Sequence, residues 1–289
     1  MGLAEAYKAA VAADIAFPIT MTNKEVQAFL DRVPEGASGN FSSGIQELSS
    51  IVNAAKTTDR QIMYTQANRA LLRLPDSALS HSQAVNVESL SPFDADTEVF
   101  IEALASRFPL SEGQRLMPFR QNQVSIALWI TIGPHRVLLG ADLENHSDPK
   151  RGWTAVLNSP AKLIGQAGII KVPHHGSQNA HHAEVWNTLL SSQPSAALTP
   201  WNRGSKLPTH EDVARIIGLT PHAYATNRID RKPKRRAAAV EKTIEDIRLR
   251  ALPTSVGHVR LRLNVADAPG TRWTFELFGG ATLLKHLAA

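Results

Sequence analysis

The chain has 289 residues, 43% hydrophobic and 20% charged, which is apolar enough for one large core or two modest ones and excludes disorder as its main state. The absence of cysteine excludes disulfides, thiolate nucleophiles and cysteine-ligated zinc, so any metal has to be held by histidines and carboxylates, and the eleven histidines become the residues to map. A net charge of +5 and an isoelectric point near 9.6 favour an encounter with a polyanion.

No apolar run reaches the roughly 18 to 20 residues of a membrane-spanning helix, and Met1–Ala13 carries Glu5 and no compact signal-peptide core. Cytoplasm, with no membrane partner, is the expected location. In chain order, Thr22-Asn23-Lys24-Glu25 is a capping-box pattern, followed by Val26, Phe29, Leu30 and Val33 at helical spacing before Pro34. Ile45, Leu48, Ile51 and Val52 mark a second helix, and the polar stretch Ala55–His81 gives only a weak helical signal. Residues 1–82 thus read as a helical connector, and residues 83–289 as the main region, expected to form one domain with it.

From Val85 onward, short apolar runs alternate with amphipathic segments, the pattern of an α/β protein. Strands are expected at Val85–Leu90, Val124–Ile132, Val137–Ala141, Gly168–Val172, Ala196–Thr199, Ala223–Thr226, Val259–Val265 and Trp273–Phe278. Helices are expected at Asp96–Arg107, Gly152–Ile164, Ala183–Leu190, His210–Ile217 and Ala237–Arg250. Between Arg228 and Arg236 the basic residues Arg231, Lys232, Lys234, Arg235 and Arg236 cluster against a single Asp230. That run could track the phosphates of a nucleic acid or simply form a solvated approach to the helix after it.

Three of the expected strands end in residues able to do chemistry. The hairpin turn Gly133-Pro134 leads into a strand that delivers Asp142, with Glu144 two residues on; the next strand ends at His174-His175-Gly176-Ser177; the third ends at Pro200-Trp201-Asn202, with His210 just beyond. Polar groups at strand carboxyl ends converge where α/β folds place their sites. A carboxylate with imidazoles suits zinc or manganese in a hydrolytic centre, where bound ions acidify a water. Each signal has an ordinary alternative: a strand-terminal Asp caps a turn, and paired histidines cap the following helix. His135 reads as a solvated turn residue, His181 and His182 as exposed residues at a helix start, and His146 with Asp148 as a pair close enough in sequence to approach the site. Trp153, Trp186, Trp201 and Trp273 read as core or rim.

Taken together, Asn122-Gln-Val-Ser125, Leu138-Leu139-Gly140-Ala141-Asp142-Leu143-Glu144, Lys171-Val172-Pro173-His174-His175-Gly176-Ser177, Asn202-Arg203 and Pro208-Thr209-His210 resemble the second half of the metallo-β-lactamase domain in competence-type (DNA-uptake) hydrolases. The resemblance spans roughly residues 85–226. It implies a four-layer αββα sandwich, with Asp142 as a metal-bridging carboxylate, His174 or His175 as a ligand and catalytic residue, and Asn202 and His210 on the substrate side. The activity implied is metal-dependent hydrolysis, of a phosphodiester in a nuclease above all.

The family's His-x-His-x-Asp-His motif has no counterpart here, since only His81 and His135 precede Asp142. Gly-Asp-Ala is replaced by Ala141-Asp142-Leu143, and Tyr-Gly-His-Pro by Gly204-Ser205-Lys206-Leu207-Pro208. The sandwich is therefore expected to be incomplete in its amino-terminal half. Three readings follow: a second polypeptide supplies the first motif, the reading frame is truncated, or the protein is a catalytically degenerate subunit that binds nucleic acid or protein. A half-sandwich would also expose an apolar sheet face for a partner to cover.

Overall fold

A computed structural model of the protein describes residues 65–75, 84–105, 121–202, 204–228, 240, 242–243, 257–263 and 273–287. The expected helices over 22–33 and 45–52, most of that over 237–250, His81 and the basic residues 231–236 lie outside the described residues.

The described chain is mixed α/β. Its strands are β1 (Arg69–Leu74), β2 (Val85–Ser89), β3 (Leu128–Ile132), β4 (His135–Leu139), β5 (Ala167–Lys171), β6 (Leu190–Leu198), β7 (Ala223–Ala225), β8 (His258–Arg262), β9 (Thr274–Phe278) and β10 (Thr282–Leu283). Its longer helices are α1 (Asp94–Ala105), α2 (Gly152–Asn158) and α3 (His210–Leu219). One sheet has eight strands in the order β1-β2-β3-β4-β5-β6-β7-β10, and β8 pairs with β9 in a two-stranded sheet. The pairs β1–β2, β2–β3 and β3–β4 are antiparallel, whereas β4, β5, β6 and β7 are mutually parallel. No described helix is long and apolar enough to cross a membrane.

The pairing register assigns the faces. Trp129, Leu138, Ile170, Ala196 and Ala223 stand side by side across five strands, and all are buried. Trp153 and Val156 of α2 and Val213 and Ile216 of α3 complete this core. On the other face, Val87, Ile130 and Val137 form a half-buried apolar row beside Ile169. At the far end of that row, Phe275 of β9 packs on Tyr224, with 4.3 Å between ring centroids.

Several elements depart from the sequence reading, each for a local reason. Arg69–Leu74 is an edge strand rather than part of a weak helix, because its backbone pairs with β2; tertiary pairing outweighs intrinsic propensity here. It lies before residue 82 and belongs to the sheet that continues beyond it. α2 ends at Asn158 instead of Ile164, since Pro160 drives Ser159 out of the helical region (φ −57°, ψ 137°). The helix expected at Ala183–Leu190 is a single π turn over Val185–Leu189, and β6 starts at once, at Leu190. Two steps along β5, from Ala167 to Ile169, face five along β6, from Leu190 to Ser195. The extra length contains Pro194, which cannot donate to the ladder, so the strand bulges.

Candidate active site

The parallel strands β4, β5 and β6 bring their carboxyl ends together. β4 is followed by Asp142, β5 by His174 and His175, and β6 by Thr199, Trp201 and Asn202. The close approach starts at Gly140: a Cβ there would sit 2.9 Å from Cβ of Pro173 and 3.0 Å from the Lys171 carbonyl. Gly140 N–H donates to that carbonyl (3.1 Å) and His174 N–H to the carbonyl of Ala141 (3.0 Å), which ties the two strand ends into one unit. Four non-glycine residues among those described have positive φ, and three of them are here: Ala141 (45°), His174 (41°) and His175 (54°). Left-handed conformations at such residues are costly and cluster where a fold aims side chains for function.

The neighbouring histidines are put to different uses. His174 Nδ1 is 3.0 Å from Glu144 Oε1 and 3.0 Å from Asn179 Oδ1, while its Nε2 is 3.1 Å from Asn122 Nδ2. Asn122 Nδ2 donates to Glu144 Oε1 at 2.9 Å and to Nε2 of the neutral His174 ring, a bond that protonation of the ring removes. Both nitrogens of His174 are thereby engaged inside the protein. His175 instead donates Nδ1–H to the Thr199 carbonyl at 2.7 Å, and its Nε2 lies 4.0 Å from Asp142 Oδ2. Fixing Nδ1 on a carbonyl sets the tautomer and presents the Nε2 lone pair, the arrangement that orients ligating and basic histidines. A gap of 4.0 Å exceeds a hydrogen bond and suits one atom held by both groups.

Electrostatics separate the two pairs as well. The hydrogen bond to Glu144 raises the His174 pKa above the ordinary histidine value against the opposing effect of burial. The hydrogen bond from His174 lowers the Glu144 carboxyl, again against burial and with help from Asn122. The pair is therefore charged over a window that opens as Glu144 ionises below the usual carboxylate range and closes as His174 deprotonates above the usual imidazole range. Its contribution to stability is lost on the alkaline side through His174 and on the acid side through Glu144. An NMR titration of the His174 ring is expected to show a raised pKa that falls in Glu144→Gln; a midpoint insensitive to that substitution would refute the pairing. Burial lowers the Lys171 pKa, while the Asp142 carboxylate opposes that effect. Its Nζ donates to the Ala141 carbonyl at 3.1 Å and stands 3.9 Å from Asp142 Oδ1, so Asp142 already has a fixed cation.

Around this centre, the Trp201 ring lies 5.4 Å from the His175 ring at a tilt of 34° and is 42% exposed. Asn202 Nδ2 donates to the Arg228 carbonyl at 3.2 Å, which places the start of the basic stretch beside Trp201. His210 is exposed at the first turn of α3, just after the capping box formed by Thr209 and Asp212. It does not supply a third donor: among the described residues no three His, Asp or Glu side chains come together to hold a metal ion. A catalytic zinc takes three protein ligands and a dinuclear centre more. With His174 engaged, Asp142 and His175 are a two-donor pair, and the described residues by themselves do not fit zinc or manganese.

Other histidines differ from the sequence reading. His146 turns away from the strand ends, its Nε2 2.9 Å from Arg151 Nη1 and its Nδ1 accepting from Asp148 N–H at 3.0 Å. His135 is buried, not solvated, because it opens β4 opposite Ile132 and meets Trp273 edge-on at 6.4 Å. His181 and His182 are half-buried. The sequence alone assigns no role to Asn122, Glu144, Lys171 or Asn179, which the structure places around Asp142 and His174. The first three stood in the quoted motifs, whereas nothing local marks Asn179. No protein-family model, curated protein or solved structure matches the chain.

Proposed function

We propose that the protein carries one half of a metallo-β-lactamase-type hydrolytic site and uses it to bind nucleic acid. Phosphodiester hydrolysis then requires donors from beyond the described residues, as a second polypeptide would bring them. What supports this reading is His175: its Nε2 is aimed at Asp142 from the side of an exposed Trp201. Lys171 adds positive charge at Asp142, and the basic stretch begins at Arg228 next to Asn202. In such a site a base stacks on Trp201 while the backbone phosphates meet the cations. The Lys171 ammonium, standing where it neutralises Asp142, favours a second reading, a subunit that binds and never cleaves.

The test uses the isolated protein and a fluorescently labelled single-stranded oligonucleotide. Binding is expected to weaken with salt, and Trp201→Ala is expected to weaken it about tenfold, since stacking one base contributes about 1–3 kcal/mol. With added zinc or manganese, cleavage should stay at background. Absence of salt-sensitive binding would defeat the nucleic-acid assignment. Robust turnover lost in Asp142→Ala would defeat the two-donor count and restore a complete hydrolase.

A further inference from the structure

At the opposite end of the same strands lies a cavity of about 360 Å³, within the size range of small-molecule pockets. It exists for three reasons. The bulge of β6 carries Ser191, Ser192 and Gln193 away from β5. Gly168 of β5 presents no side chain where the Trp273 indole comes down, so that a Cβ there would be 3.4 Å from Nε1. The third is the β8–β9 pair, whose Phe275 ring meets Tyr224 of the sheet.

The lining divides into an aromatic wall and a polar rim. Trp273, Phe275 and Tyr224 form the wall, and Ser195 and His222 belong to the rim. Burial pushes the Tyr224 phenol up to about 12, so it remains a neutral donor at working pH. Among the described residues that line the cavity, Arg136 is the one permanently charged side chain, and none is Asp or Glu. Its Nε donates to the Ile164 carbonyl (3.1 Å) and its Nη1 to the Gly133 carbonyl (3.2 Å). Two neutral acceptors fix the guanidinium in place, and no acidic side chain among the described residues pairs with it. A cation held still beside aromatic faces recognises a planar ring that carries an anionic group.

We propose that this cavity binds a small aromatic anion, its ring against Trp273 and Phe275 and its carboxylate or phosphate at Arg136. The site is independent of the one at Asp142. Calorimetric titration with adenosine 5′-monophosphate and with 4-hydroxybenzoate tests it, with adenosine and inorganic phosphate as probes lacking the charge or the ring. At least one of the aromatic anions is expected to bind at least tenfold more tightly than adenosine or phosphate. Whichever of the two binds identifies the class as nucleotide or aromatic acid. Arg136→Gln should reduce that affinity about tenfold, and Phe275→Leu, a milder change that spares the strand, should weaken it as well. Lys150→Ala, at an exposed lysine outside both sites, should leave it unchanged. Failure of both anions to bind, affinity unaltered by Arg136→Gln and Phe275→Leu, or an equal loss in Lys150→Ala would overturn the proposal.

Discussion

Asp96→Ala should lower the free energy of unfolding by about 3–5 kcal/mol, the usual effect of leaving one partner of a buried ion pair behind. The Asp96 and Arg151 side chains are 2% and 6% exposed, with Oδ1 3.1 Å from Nε. Asp96 Oδ2 also accepts from Gly152 N–H at 3.4 Å. Position 152 requires glycine, because its φ is +58° and a Cβ would collide with the Glu144 carbonyl oxygen. Removing the carboxylate strands a guanidinium whose Nη2 is already buried without a partner among the described residues. The double variant Asp96→Leu with Arg151→Met should recover much of the loss, since well-packed apolar residues replace buried pairs at little cost. Urea unfolding measures both. A drop below about 1 kcal/mol for Asp96→Ala would mean that Arg151 finds water in solution, contrary to its burial.

Trp153→Ala should cost a similar amount, about 3–5 kcal/mol for a large aromatic deleted from a core. Trp153 is fully buried, packs in the core with Trp129 and Leu138, and donates Nε1–H to the Leu143 carbonyl at 2.9 Å. Leu143 lies between Asp142 and Glu144, so this bond sets the backbone of both site carboxylates. Trp153→Phe keeps most of the ring and removes only the donor, at an expected cost of about 1–3 kcal/mol for the orphaned carbonyl. If the bond orients the site, the His174 titration will also shift in Trp153→Phe. An unaltered His174 midpoint alongside reduced stability would restrict Trp153 to packing.

Much of the sheet is legible in the sequence because β3 to β5 and β7 are apolar runs bounded by turn residues, β2 alternates Val-Asn-Val-Glu, and Gly133 supplies the positive φ (52°) that the β3–β4 hairpin requires. β1 escapes notice because Arg69-Ala-Leu-Leu-Arg-Leu74 consists of good helix formers without alternation; it is a strand only because β2 is beside it. The early start of β6 is hidden by Pro194, which reads locally as a strand breaker. At the site, Asp142, His174 and His175 stand out as the terminal residues of apolar runs. The division of labour between the histidines does not. It depends on which ring nitrogen each has committed, and that is decided by Thr199, 24 positions from His175, and by Asn122, 52 positions from His174. The tie of Asp96 to Arg151 spans 55 positions and has no local signature either.

The parallel run of β4, β5 and β6 gives the molecule a polarity with a practical outcome. The same strands carry Asp142 and His175 at one end and Arg136 at the other, and β5 is five residues long, about 17 Å at the rise of an extended chain. That separation is roughly twice the screening length of physiological salt, about 8 Å. Charges placed at one end are therefore felt only weakly at the other. Ligands at the two ends can be titrated as additive events, and a departure from additivity would report mechanical transmission along the strands.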